Sequence, residues 1–223
     1  GCGKSLCAKA SAALFNAPLL KLDMGSMMGK YVGESEGNLR KAIKIAEAAA
    51  PCVLWIDEIE KAFSGVGGNN DIMERMFGYF LSWMQEKQSC VYVIATANKV
   101  GNLPPELKRK GRFDEIFCVN LPNKEERKEI FKIHLKKKKK SLDDASLNSI
   151  CQMTDGFNGA DIESVVNEAV EECFLSGVRE LSKNVLEDIA RQTISSSKSS
   201  KQQIDNMKKV FKENNFKDAT TGK

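Results

Sequence analysis

The sequence predicts an α/β fold: a parallel sheet sandwiched by helices, followed by a small all-α domain. Three observations predict it. Short β-rich runs alternate with helical patterns over the first half of the chain. Those runs are nearly continuously apolar, as strands covered on both faces are. After Pro122 the strand signals stop and only helical periodicity remains. The 223 residues, 42% hydrophobic, are enough for one substantial core and a smaller second one.

Taken in order, the chain opens on Gly1-Cys2-Gly3-Lys4-Ser5 and runs into the helix-forming Leu6-Cys7-Ala8-Lys9-Ala10. Pro18 to Leu22, Cys52 to Ile56, Cys90 to Ala95 and Glu115 to Leu121 read as strands. Between them, Leu39, Ala42, Ile43, Ala46 and Ala50 recur at helical spacing, and Met73, Met76, Phe77, Phe80, Leu81 and Met84 repeat the pattern. A boundary is expected near Leu121, giving an α/β domain over 1–121, a helical domain over 122–194 and a tail over 195–223. Ile162, Val165, Val166, Ala169, Val170, Cys173 and Phe174 make one wide apolar stripe in the second domain. In the tail, Ser195 to Ser200 reads as a flexible joint, Gln203 to Phe211 as a weakly amphipathic segment, and the residues from Asn214 as frayed.

Composition narrows the function classes. The net charge of +4 comes from 34 basic against 30 acidic residues, and the run Lys136 to Lys140 accounts for it, so nucleic acid is not an expected partner. The lysine run could meet acidic lipid, RNA or an acidic partner, which keeps nucleic acid as a lesser alternative, but no aromatic residues interleave it for base stacking. Seven cysteines without a C-x-x-C pair fit reduced thiols in a cytosolic protein. No apolar stretch approaches the ~20 residues that span a bilayer. With His134 the only histidine, a multi-histidine metal site or a Ser-His-Asp triad is not expected.

Gly1-Cys2-Gly3-Lys4-Ser5 matches the end of the phosphate-loop motif G-x-x-x-x-G-K-[ST], in which backbone N–H groups cradle phosphates, the lysine reaches β/γ oxygens and the hydroxyl binds Mg²⁺. Cys52-Val-Leu-Trp-Ile-Asp57-Glu58 is an apolar strand ending in two carboxylates. The first suits a Mg²⁺ position through water and the second suits polarising an attacking water, although acidic pairs also cap helices. Val91 to Asn98 is a third strand with a polar end, where Asn98 could orient that water or simply form a turn. Cys2, inside an N–H-rich loop, could be redox-sensitive, or merely small enough to fit.

These motifs, in this order, resemble the AAA family of P-loop ATPases over the stretch from Gly1 to about Arg191. The resemblance implies that ATP and Mg²⁺ bind between the α/β domain and a helical lid, held by Gly1, Cys2, Gly3, Lys4, Ser5, Leu6 and Asp57, with Ser5 and Asp57 on the metal. Leu103-Pro-Pro-Glu-Leu-Lys-Arg109-Lys-Gly-Arg112-Phe-Asp looks like the family's arginine-finger segment, so Arg109 and Arg112 are expected to act on a neighbouring subunit's nucleotide. Met28-Gly-Lys30-Tyr31-Val32-Gly-Glu-Ser-Glu resembles the central-pore loop, with Tyr31 gripping an extended polypeptide and Lys30 and Val32 beside it; Gly65 to Asn70 could be a second pore loop. His134 matches a lid histidine near the ribose and adenine, and Gly159 and Ala160 match the second sensor, where small residues let backbone approach the nucleotide.

Ala48 to Phe63, Phe77 to Lys87 and Arg112 to Phe117 look most like the Ycf46 family of bacteria and plastids, implying a bacterial cytoplasmic or plastid stromal location. The resemblance to AAA proteases such as FtsH extends to Gly156-Phe-Asn-Gly-Ala-Asp-Ile, but no H-E-x-x-H occurs, which excludes a zinc protease domain from this chain. The first half of the phosphate loop and the strand expected before it are missing, so the chain is expected to be a fragment, unstable and catalytically poor alone. The function implied is an ATP-hydrolysing homo-oligomer, a hexamer by resemblance, that threads or remodels a protein substrate. The alternative is a nucleotide-dependent scaffold with slow hydrolysis.

Overall fold

The computed structural model describes residues 2–23, 34–63, 71–109, 111–178, 180–199, 209–211 and 216–219. Two compact units, one of Lys4–Ile116 and the other of Gly1–Gly3 with Phe117–Lys223, each enclose an apolar core.

In the first unit, α1 (Lys4–Leu14) leads to β1 (Leu19–Leu22), α2 (Glu34–Ala48), β2 (Cys52–Ile56), the single turn α3 (Ile59–Ala62), α4 (Asp71–Glu86) and β3 (Val91–Ala95). The strands make one parallel sheet in the order β1-β2-β3, with Leu22 opposite Ile56 and Ile56 opposite Ala95. That register levels the carboxyl ends of the strands, so the residues following Ile56 and Ala95 meet at one edge. Every position of β2 is buried, which explains its unbroken apolar sequence. Helix α1 packs on β1 and β2 and buries Ala8 and Ala12, one turn apart. Phe63, at the end of α3, stacks its ring 4.9 Å from Phe77 and 5.4 Å from Phe80. These contacts anchor the turn after β2 in the core.

The second unit holds α5 (Lys124–Lys137), α6 (Asp144–Met153), α7 (Gly159–Leu175) and α8 (Lys183–Gln192), and each helix starts where its sequence supplies a cap. Asn123 with Glu126 and Asn158 with Asp161 form reciprocal capping boxes, while Asp143 and Ser182 cap α6 and α8. The apolar stripe of α7 buries Ile162, Val165, Val166, Ala169 and Cys173, with Val170 partly buried, but leaves Phe174 83% exposed at its end. Among the described residues no helix is long and apolar enough to cross a membrane.

Three expectations are corrected. The strand expected over Glu115 to Leu121 is confined to β4 (Phe117–Cys118), which lies in the second unit and pairs in parallel with β5 (Lys217–Asp218). Its length is set by its partner, and Ala219 N–H closes the ladder on the Cys118 carbonyl at 2.8 Å. Residues 217–219, expected to be frayed, are accordingly paired. The Ser195 to Ser200 joint is instead seated: Ser195 is buried, Ser196–Ser199 forms the short α9, and the Ser196 hydroxyl donates to Asp161 Oδ1 at 2.5 Å. A carboxylate at the start of α7 gives the serines a partner that composition alone does not reveal. Of Gln203 to Phe211, only 209–211 lie among the described residues, and they are helical.

Candidate functional site

The carboxyl edge of the sheet gathers four of the predicted residues, Ser5, Asp57, Glu58 and Asn98. Gly3 has φ +86°, in the left-handed region that favours glycine, and Lys4 and Ser5 begin α1 immediately after it. Ser5 Oγ stands 3.4 Å from Asp57 Oδ1, bringing the phosphate-loop hydroxyl to the first carboxylate after β2. Lys21 on β1 lies 3.8 Å from the other oxygen, Oδ2, and sits over the Trp55 ring.

Glu58 adopts a left-handed conformation, φ 51° and ψ 52°, directly before α3. For a residue with a Cβ this costs roughly 1–2 kcal/mol. Its surroundings hold it there: Glu58 N–H donates to Thr96 Oγ1 at 3.1 Å, and Ile59 N–H donates to the Thr96 carbonyl at 2.9 Å. The Glu58 carboxylate accepts from Asn98 Nδ2 at 2.8 Å on Oε1 and from Lys61 Nζ at 2.7 Å on Oε2. The bond to Glu58 raises the Lys61 pKa. Asn98 is held in turn by its own N–H, which donates to Glu60 Oε1 at 3.0 Å. Glu60 is 4% exposed, and its buried Oε2 has no hydrogen-bond partner among the described residues.

The structure therefore assembles Ser5, Asp57, Glu58 and Asn98 into one hydrogen-bonded cluster. It adds Thr96, Glu60, Lys61 and Lys21, for which the motifs gave little notice. Thr96 was visible only as part of a polar strand end. Glu60 carried one further signal, a carboxylate one helical turn beyond Asp57.

Arg109 is exposed after a short 3₁₀ turn (Pro105–Lys108). Arg112 follows Gly111, whose φ is +89°, and its buried Nε has no acceptor among the described residues. Among the described residues neither arginine bonds to the cluster. Cys2 is partly buried and Leu6 exposed. Gly1, Lys30, Tyr31, Val32 and Gly65 to Asn70 lie outside the described residues.

In the helical unit, His134 of α5 has Nδ1 3.6 Å from Glu163 Oε1 of α7. Burial lowers the imidazole pKa, assisted by Lys137 and opposed by Glu163. The spacing alone would suggest an ion pair, but Glu163 is 52% exposed, so solvent screens its pull and the burial effect is the better guide. Gly159 and Ala160 open α7, where Asn158 Oδ1 accepts from Ala160 N–H at 2.8 Å and from Asp161 N–H at 3.1 Å. Arg127, not foreseen as a key residue, is buried. Its Nη1 donates to the Pro122 carbonyl and its Nη2 to the Cys151 carbonyl, both at 2.9 Å, and Asp155 lies 3.4 Å from Nη1.

Comparison with known proteins gives the family. The model of the ATPase family associated with various cellular activities (AAA) matches residues 1–121, and that of the AAA+ lid domain matches residues 144–188. An uncharacterized AAA domain-containing protein, ycf46, of Pyropia yezoensis is 44% identical over 210 residues, covering 93% of this chain and 42% of that protein. The Cell division cycle protein 48 homolog of Archaeoglobus fulgidus is 38% identical over 173 residues, covering 76% of this chain and 24% of that protein. The chain thus spans less than half the length of these relatives. The crystal structure of the FIGL-1 AAA domain in complex with ADP superposes with a TM-score of 0.78 at 22% identity, over 96% of this chain and 75% of that one, a likeness of fold. With a family model matching more than half its length and a curated relative 44% identical over 93% of it, the chain belongs to the AAA family of ATPases.

Proposed function

We propose that the protein binds ATP with Mg²⁺ and hydrolyses it to ADP and phosphate at the cluster around Asp57 and Glu58. The observation that carries this reading is the joining of the phosphate-loop hydroxyl, two strand-end carboxylates and an asparagine from the next strand in one hydrogen-bonded group. Gly1, Cys2, Gly3 and Leu6 contribute the phosphate loop, Lys4 neutralises phosphate oxygens, and Glu58, oriented by Asn98, polarises the attacking water. Ser5 and Asp57 offer hard oxygen donors that suit Mg²⁺, which when bound neutralises charge on the phosphates. Gly159 and Ala160 allow close backbone approach to the nucleotide, and a neutral His134 suits a place beside ribose or adenine.

Arg109, exposed, and Arg112, whose buried Nε has no acceptor among the described residues, fit fingers that complete a neighbour's site, a role worth about 10³–10⁵-fold in other phosphoryl-transfer systems. The protein is accordingly read as a homo-oligomer, a hexamer by family likeness, that threads a protein substrate past Lys30, Tyr31 and Val32 in the bacterial cytoplasm or plastid stroma. Mixing tests the shared site: full-length Arg109→Ala/Arg112→Ala and Glu58→Gln proteins, each inactive alone, should regain ATP turnover together. Tyr31→Ala should abolish stimulation by protein substrate while leaving assembly intact. Unchanged stimulation would favour a scaffold over a motor.

A further inference from the structure

From the end of the neighbouring strand, Thr96 holds the turn carrying Asp57 and Glu58 with both its backbone and its side chain. Thr96 follows β3 directly, and because Ala95 is opposite Ile56, Thr96 lies alongside Asp57. Its backbone brackets the turn: Thr96 N–H donates to the Ile56 carbonyl, and the Thr96 carbonyl accepts from Ile59 N–H, both at 2.9 Å. Its hydroxyl acts on the residues in between. Oγ1 donates its one hydrogen to Asp57 Oδ1 at 2.5 Å and accepts the Glu58 N–H at 3.1 Å. Thr96 is 7% exposed, and β-branching restricts its χ1, so the hydroxyl is presented in a fixed direction.

We propose that Thr96 is a positioning residue for the hydrolytic pair, setting the Asp57 carboxylate and the left-handed Glu58 backbone with one hydroxyl. The inference deepens, and rests on, the hydrolase reading. Asp57 Oδ1, the oxygen that accepts from Thr96, is also the one that faces Ser5 Oγ. Rotating Asp57 therefore changes the oxygen pair proposed for Mg²⁺. Freeing the Glu58 N–H removes a hydrogen bond that supports its left-handed conformation, and with it the placement of the carboxylate against Asn98. A purely structural threonine would alter stability and leave the metal dependence unchanged.

The test uses the full-length protein as wild type, Thr96→Val, Thr96→Ala and Thr96→Ser, with Glu58→Gln as a control. Two quantities are read: steady-state ATP turnover, and the Mg²⁺ concentration that half-saturates binding of a fluorescent ATP analogue. Loss of a hydrogen bond to a charged group predicts that Thr96→Val lowers kcat about tenfold or more and raises half-saturating Mg²⁺ about tenfold, with KM for ATP at saturating Mg²⁺ changed much less. Thr96→Ser, which keeps the hydroxyl, should recover most of both. If Thr96→Val does not fold, Thr96→Ala against Thr96→Ser makes the same comparison. Wild-type Mg²⁺ dependence and kcat in Thr96→Val, or a Thr96→Ser protein as impaired as Thr96→Ala, would overturn the inference. Should Glu58→Gln turn over ATP like wild type, the hydrolase reading fails instead. The Mg²⁺ dependence of analogue binding then decides the role of Thr96 by itself.

Discussion

Asn98 reaches Glu58 across forty residues of sequence, its side-chain amide donating to the carboxylate at 2.8 Å. Parallel pairing of β2 with β3 puts the ends of both strands at one edge, and Glu60 then holds the Asn98 backbone N–H at 3.0 Å. Two acidic residues of one turn thus fix one asparagine.

Asn98→Ala should lower kcat for ATP by about ten- to a hundredfold, the range for removing a positioned hydrogen-bond donor, with little loss of nucleotide affinity. Phosphate release and titration with a fluorescent ATP analogue separate the two effects. A comparable loss of affinity would mean that Asn98 supports binding and not the chemical step.

Arg127→Met should destabilise the helical unit by roughly 3 kcal/mol, because two carbonyls lose buried donors. Arg127→Lys should recover only part of this, since an ammonium cannot span both acceptors as the guanidinium fork does. Denaturant titration of the three proteins measures it.

His134 gives a pH dependence of definite sign. Its pKa is lowered below the usual 6.5 in the folded protein, so the unfolded chain takes up the proton first. The stability that depends on a neutral His134 is fully present above pH ~6.5 and is lost as pH falls from there toward the folded pKa. Thermal unfolding of wild type should therefore decline more steeply over that range than that of His134→Gln. Parallel curves would contradict the burial argument.

Asp161 joins the start of α7 to the serine segment, accepting from Asn158 N–H at 3.0 Å and from the Ser196 hydroxyl at 2.5 Å. Ser196→Ala should make the chain beyond Ser195 more open to limited proteolysis and leave α7 intact, since Asn158 still caps it. Asp161→Ala should expose the tail and also lower stability by about 1–2 kcal/mol through the lost cap. Equal protease resistance in wild type and both variants would show that the tail is held elsewhere.

Much of this architecture was legible in the sequence because its signals are local. Cys52 to Ile56 is apolar at every position and is a strand over that same span, and Asn158 and Asp161 announce the start of α7 by their spacing. What was illegible depends on partners far away in the chain. The short β4 takes its length from Lys217 and Asp218, about a hundred residues later, and the Ser195 to Ser199 segment is ordered by Asp161. The site divides in the same way. Asp57 and Glu58 are recognisable as the end of an apolar strand, whereas the role of Thr96 follows from register, which a strand's own sequence does not specify.

The most direct test of the central claim is ATP turnover by the full-length protein over a range of protein concentrations, beside Glu58→Gln. The account predicts that specific activity rises with concentration as subunits share sites. It also predicts that the variant loses about a hundredfold or more in turnover while still binding ATP. Turnover that is the same in wild type and Glu58→Gln, or tight ATP binding without any Glu58-dependent hydrolysis, would contradict it.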